Sequence, residues 1–446
     1  MAPNLRLRAT RLLKIAPAEF GAALWAFAYF FALLSSYYIL RPVRDEMGIL
    51  GGVENLQWLF TGTFLAMLAA VPLYGAAVRR FPRRRLLPVV YYFFIANLLA
   101  FFALFHSCLG EAWLARVFFI WVSVFNLFVV SVFWSFMADL FSNAQARRLF
   151  GFVAAGGSAG AIAGPAVTAL LAGSVGTVNL LLISAALLGF AVFCIHRLLA
   201  WRNPEPGRSA PRGEPLGGSA LAGFSLLLRS PYLLGIGLFI LLYTTLSTFL
   251  YFEQAHIVRG AFAESADRTA LFAAIDLAVN TLTIATQLFF TSRLVERLGL
   301  PATLALVPAF LVLGFAGLAA APVLGMLVAV QVLRRAGNYA VTRPAREMLF
   351  TVVGREARYK AKSVIDTVVY RGGDALSGWA FAGLTAAGLG LSAIAWIGVP
   401  LAAIWLLVGV WLGRYQERLR TSPIDEAGPT PATAEDLPGS HRRSRP

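Results

Sequence analysis

An all-α polytopic membrane protein, with twelve transmembrane helices in two six-helix bundles, is the fold this sequence predicts. Three observations predict it. Of the 446 residues, 59% are hydrophobic and only 13% are charged, with a mean hydropathy of +0.71. A globular domain carries about 25% charged residues, so this composition cannot supply a water-facing surface. Second, the apolar residues fall into runs of about 20, the length that crosses a hydrocarbon core of about 30 Å. Third, the runs divide evenly around a polar break near the middle of the chain.

The first six runs lie near Phe20–Leu40, Leu56–Val78, Leu86–Phe105, Val117–Phe136, Phe150–Leu171 and Leu180–Leu199. Trp201–Gly218, rich in Pro, Gly and Arg, interrupts the pattern. Six more lie near Pro231–Tyr251, Leu271–Phe290, Pro301–Ala319, Val323–Val341, Val364–Ala386 and Ile394–Trp411. The expected domains are a first bundle over 1–200, a cytoplasmic linker over 201–229, a second bundle over 230–414 and a disordered cytoplasmic tail over 415–446. The first run is full-length and is succeeded by further spans, which does not fit a cleaved signal peptide.

The net charge of +16 is explained by topology rather than by nucleic acid. Arg6, Arg8, Arg11 and Lys14 precede the first run, Arg79, Arg80, Arg83, Arg84 and Arg85 follow the second, and Arg147 with Arg148 follow the fourth. The connections 172–179, 320–322 and 387–393 carry no Lys or Arg. The positive-inside rule places both termini in the cytoplasm, as expected for a multi-pass protein of a bacterial inner membrane. Neither the two cysteines, Cys108 and Cys194, nor the four scattered histidines have metal-ligand spacing, and no cofactor is implied. The sequence carries no HExxH, no Ser–His–Asp set and no P-loop, so neither an enzyme nor an ATP-driven pump is expected.

The halves echo each other. VRRFPRRRLLP after the second run corresponds to SRLVERLGLPA after the eighth, and LFSNAQARRLFG to LFTVVGREARYKA, both offset by roughly 210 residues. Such a parallel six-plus-six repeat resembles the major facilitator superfamily, in which the substrate site lies at the midplane between the halves. AAGGSAGAIAGPAV at 154–167 is similar to that superfamily's glycine-rich fifth helix, and its small residues at four-residue spacing permit close helix approach.

Polar residues inside the spans are the functional candidates, because a charge at a helix centre costs about 2.5–3.5 kcal/mol and needs a partner or a cavity. In the tenth run, Arg334 and Arg335 lie near mid-depth, and Gln331, Arg335, Asn338 and Thr342 share one helical face. Asp276, Asn280, Thr283 and Gln287 repeat that spacing in the eighth, and Thr244, Ser247, Thr248 and Tyr251 form a polar face in the seventh. In the eleventh, Thr367, Arg371 and Asp374 share a face, with Asp366 nearer the cytoplasm. Pairing of Arg371 with Asp374, or of Asp276 with Arg334 or Arg335, explains individual charges. The continuity of the polar faces on neighbouring helices argues instead for a hydrated path. Basic residues outnumber acidic ones there, which favours an anionic solute. Asp276, Asp366 and Asp374 are the candidate proton carriers if transport is proton-coupled.

Two segments admit two readings. SSYYILRPVRDEMG at 35–48 is either an interfacial helix end stopped by Pro42 or a continuing helix whose Tyr37, Arg41, Arg44 and Asp45 line a vestibule. Around Arg346, Glu347, Lys360 and Lys362, a solvated charge run competes with a site in which lysine acts as a point charge. Only three lysines stand among 38 basic residues.

Four pieces together resemble the ATP/ADP translocase family of nucleotide exchangers: SYYILRPVRD at 36–45, VVSVFWSFMADLF with ARRLFG across 129–151, YAVTRPAREMLF at 339–350 and YKAKSVID at 359–366. They extend over spans one, four, ten and eleven. The resemblance implies alternating-access exchange of a phosphorylated anion by a single chain in the bilayer. Arg41, Arg44, Arg346, Lys360 and Lys362 stand where the family motifs carry charge. Asn126 stands where an acid is expected, Arg343 replaces an acid before the proline, and Asp374 stands where a base is usual, features of a divergent branch. Proton-coupled uptake or efflux of an unrelated solute, and a membrane protein that does not transport, are the alternatives.

Overall fold

The computed structural model describes residues 19–80, 83–107, 110–201 and 222–421, and no strand occurs among them. Most of the expected linker (202–221), the tail past 421 and Cys108 lie outside the described residues. The spans of the first half are α1 (Phe20–Leu50), α2 (Leu56–Arg80), α3 (Arg83–His106), α4 (Glu111–Leu140), α5 (Asn143–Val175) and α6 (Leu180–Trp201). A short helix, Ala222–Arg229, leads into the second half. There α7 is Pro231–Ala261, α8 Ser265–Phe289, α9 Thr291–Ala320 and α12 Leu391–Thr421. Two spans are composite. In α10, a π-helical turn Asn338–Thr342 joins Leu324–Gly337 to Arg343–Leu349; in α11, a second such turn, Ile365–Val369, joins Arg355–Val364 to Tyr370–Ala386. Nine described helices are long and apolar enough to cross a membrane, and α2, α10 and α11 complete the twelve.

Local chemistry explains the departures from ideal helix. Pro42 does not stop α1, which runs on to Leu50 and so carries Arg41, Arg44 and Asp45 within a continuous helix. In α10, Pro344 has no N–H to give the carbonyl four residues back, and the chain widens into the π turn just before it. The carbonyl concerned, that of Ala340, accepts instead from the Thr291 hydroxyl of α9 at 2.8 Å. The glycines of α5 let its backbone touch that of α1. A Cβ at Gly156 would sit 2.4 Å from the Phe27 carbonyl oxygen, and one at Gly160 2.4 Å from that of Phe31.

Two apolar cores match the two halves. One is built from residues between Phe20 and Leu198. The other is built mainly from residues between Leu227 and Leu412, joined by Ile49, Val53, Leu56, Leu59 and Phe119 of the first half. These five mark where the halves are pressed together. Polar contacts agree: at the same end, Arg268 of α8 grips Glu46 of α1 with two hydrogen bonds of 2.8 and 2.7 Å, and its third nitrogen caps the Phe262 and Ala263 carbonyls. Thr177 meets Thr269 at 3.1 Å, and the Trp379 indole donates to Thr61. Further polar contacts between the halves continue to mid-depth, where Asn280 donates to the Ala161 carbonyl at 2.6 Å. The opposite end holds the starts of α1 and α7 and the close of α12.

Candidate functional site

Between the halves lies a cavity of about 610 Å³, within the range of small-molecule sites. Its lining reaches from Asp45 and Gln254 at the shut end to Phe30, Ala154, Gln287 and Arg343 toward the open one. Helices α1, α2, α4 and α5 supply one wall; α7, α8, α10 and α11 supply the other.

The lining is cationic. Arg41, Arg44, Arg334, Arg335, Arg343 and Arg371 face it, against Asp45 and Asp374, with Asp276 buried just behind. Four of these arginines have carboxylate partners. Arg44 bonds Asp45 at 2.6 Å and lies over the Phe119 ring, while Asp45 also accepts from the Tyr251 hydroxyl across the interface at 3.0 Å. Arg371 approaches Asp374 at 3.5 Å, and Thr248 donates to the same carboxylate. Arg335 hydrogen-bonds Asp276, whose other oxygen lies 3.6 Å from Arg41 Nε.

Arg334 differs from these. It is 6% exposed, and its only bonds are to neutral groups, the Ser247 hydroxyl at 2.6 Å and the Gln331 amide oxygen at 2.8 Å. Its Nε has no partner, and among the described residues no carboxylate pairs with it. A buried guanidinium left with only neutral partners is costly unless an anion completes it. Tyr37, Tyr38, Tyr243, Tyr339 and Tyr370 stand around these arginines and offer hydroxyls and flat apolar faces.

The positions anticipated from sequence separate into two groups. Arg41, Arg44, Asp45, Asn126, Asn280, Arg334, Arg335, Arg371 and Asp374 line the cavity, and Asp276 supports it from behind. Asn338 does not line it. Asn338, still in register with the helix before it, bonds the Tyr243 hydroxyl at 2.9 Å, and the π turn that starts there shifts the register so that Thr342 turns into the protein. Arg346, Glu347, Lys360, Lys362 and Asp366 also lie outside the lining. Four of them form a clasp between α10 and α11: Arg346 pairs with Glu347 at 3.1 Å and with Asp366 at 3.3 Å, and Lys362 bonds Glu347. Lys362 is therefore engaged by a neighbouring acid, outside the lining.

Sequence reading passed over Arg268 and the tyrosines Tyr243, Tyr339 and Tyr370. A signal for Arg268 existed, since it is a basic residue on the side whose short connections lack Lys and Arg. The tyrosines alternate with apolar residues and carry no signal of their own.

Two pseudo-equivalent helical bundles around a central polar cavity, shut at one end and open at the other, define a secondary membrane transporter. The Major Facilitator Superfamily model matches residues 20–275, more than half of the chain, and the protein belongs to that family. No curated protein matches it in sequence. Among solved structures, a bacterial homolog of the human lysosomal transporter Spinster is 14% identical with a TM-score of 0.56, over 90% of this chain and 98% of that one. A bacterial homologue of the iron transporter ferroportin is 11% identical with a TM-score of 0.63, over 88% and 99%. The nucleoside transporter NupG is 14% identical with a TM-score of 0.59, over 89% and 99%. At these identities the likeness is one of fold.

Proposed function

We propose that this transporter moves a small anionic solute by alternating access, and that the conformation described is inward-facing. Arg334 carries the reading: it is a buried guanidinium at the cavity wall without a carboxylate partner. The surplus of arginine over acid in the lining supports the same sign of charge. The size of the cavity and its tyrosine faces suit a phosphorylated compound with a flat ring. Together with the resemblance to nucleotide exchangers, they make ATP/ADP-type exchange the first activity to test. Counterflow in proteoliposomes, with labelled nucleotides, inorganic phosphate and organic anions, tests it directly. Accumulation of any anion against an internal load supports the reading; counterflow of neutral or cationic solutes alone would sink it. Repeating the assay with and without a pH gradient separates exchange from proton coupling.

Orientation belongs to the same proposal. The loop arginines favour an orientation with the open end, both termini, the linker 201–229 and the tail in the cytoplasm of a bacterial inner membrane. With Cys108 and Cys194 replaced by alanine, a cysteine at Ser174 should react with an impermeant maleimide from outside intact cells, and one at Gly207 should not. The reverse pattern refutes the orientation.

Arg371 and Asp374 supply a further prediction. Both line the cavity, so each is expected to serve the solute beyond neutralising the other. Arg371→Asp and Asp374→Arg should each abolish transport, and the double exchange should not restore it at normal membrane abundance. Recovery by the double variant would reduce the pair to a structural bridge.

A further inference from the structure

Asp276 is the one carboxylate of the site that contacts arginines of both halves. Its Oδ1 is committed to Arg335, and α8 and α10 belong to the same bundle, so that bond travels with the bundle. Its Oδ2 is buried and accepts no hydrogen bond. From the other bundle, Arg41 Nε lies 3.6 Å from Oδ2, an ionic approach longer than a hydrogen bond. Among the described residues Arg41 makes no hydrogen bond, although it lines the cavity and is only 15% exposed. Two groups of opposite charge thus face each other across the bundle interface, each with unused bonding capacity.

We propose that Asp276 is an internal counter-anion for Arg41, and that an anionic solute binds by taking Arg41 from it. This rests on the anion reading of the cavity and adds a residue that sets its affinity. While the site is empty, the Asp276 charge screens Arg41 at short range. An arriving anion offers hydrogen bonds that Asp276, tied to Arg335, does not complete. Release then has a built-in competitor, since Asp276 is still within ionic reach when the solute leaves. The site keeps moderate affinity despite its many arginines, as a carrier requires for turnover.

The test is a gain of binding, which damage to the fold does not produce. Asp276→Asn keeps the oxygen that accepts from Arg335 and removes the charge. Purified protein in detergent is titrated with inorganic pyrophosphate and with ADP, using isothermal calorimetry. One unit charge removed at about 4 Å in a partly desolvated site is expected to tighten binding at least about tenfold. A second comparison does not require the single variant to fold well. Arg335→Gln leaves Asp276 to Arg41 alone and should weaken binding, and adding Asp276→Asn to it should restore or exceed parental affinity. Arg334→Gln is the control for the anion reading and should lose binding. If Arg334→Gln loses binding while Asp276→Asn matches or falls below the parent, and the double variant is no tighter than Arg335→Gln, the counter-anion is overturned and the anion site stands. If neither parent nor variants bind either probe, both ideas fall.

Discussion

Replacing Arg334 with glutamine should abolish counterflow of the transported anion while leaving the protein in the membrane at parental abundance. The glutamine keeps polar atoms near Ser247 and Gln331 but removes the charge that no carboxylate offsets. Charge-assisted hydrogen bonds to a guanidinium are about twice as strong as neutral ones. Losing such a contact in a desolvated site costs about 2–5 kcal/mol, which corresponds to a fall of roughly 30-fold to several thousand-fold in affinity. Arg334→Lys separates charge from shape. Lysine restores the positive charge but not the planar fork, so partial recovery is expected, with a raised half-saturation constant. Parental counterflow in Arg334→Gln would remove the observation on which the anionic substrate rests.

The parts of this fold that were legible in the sequence are those set by short-range periodicity. Run length located the spans, and the four-residue spacing of Gly156, Gly160 and Gly164 foretold the close approach of α5 to α1. Polar faces with an unbroken 3.6-residue period were legible at Asn280, Thr283 and Gln287 of α8, which line the cavity. The same reasoning failed at Thr342, because the π turn ahead of Pro344 adds a residue to the helical turn and rotates that side chain off the expected face, and at Asn338, which is held by the Tyr243 hydroxyl instead. Pro42 shows the converse. A proline signals a helix end in water, yet α1 continues through it, packed among neighbouring helices that support the disturbed backbone. Ion pairs made across a loop or between bundles were out of reach. The bond of Lys362 to Glu347 depends on how α10 turns into α11, and Asp276 meets Arg41 only because the two bundles dock.

The largest conformational effect is expected at the shut end, where Glu46 and Arg268 lie 222 residues apart and face each other across the interface. Glu46 is fully buried and Arg268 is 8% exposed, and the carboxylate takes two of the guanidinium hydrogen bonds. Removing one partner of a buried pair costs about 3–5 kcal/mol. Here that cost falls on the closed arrangement of this end, because the two residues need not face each other once the halves part. A shift of about 5.5 kcal/mol moves a two-state equilibrium from 99:1 to 1:99, so Glu46→Gln should depopulate the closed end substantially. Thr63 is a suitable reporter, being buried and part of the cavity lining. In a chain whose own cysteines are replaced by alanine, Thr63→Cys should react slowly with an impermeant maleimide added on the side of the shut end. Adding Glu46→Gln should speed that reaction about tenfold or more. Glu46 is the better residue to change, since Arg268 also caps the Phe262 and Ala263 carbonyls and its loss disturbs the α7–α8 turn as well. Exchange should slow in the same variant, because a carrier that cannot hold one end shut leaves the inward-facing state too readily to load from that side. Labelling of Thr63→Cys at the parental rate in Glu46→Gln would show that the Thr177–Thr269 contact and the apolar packing of Ile49, Leu56 and Phe119 close this end without the ion pair.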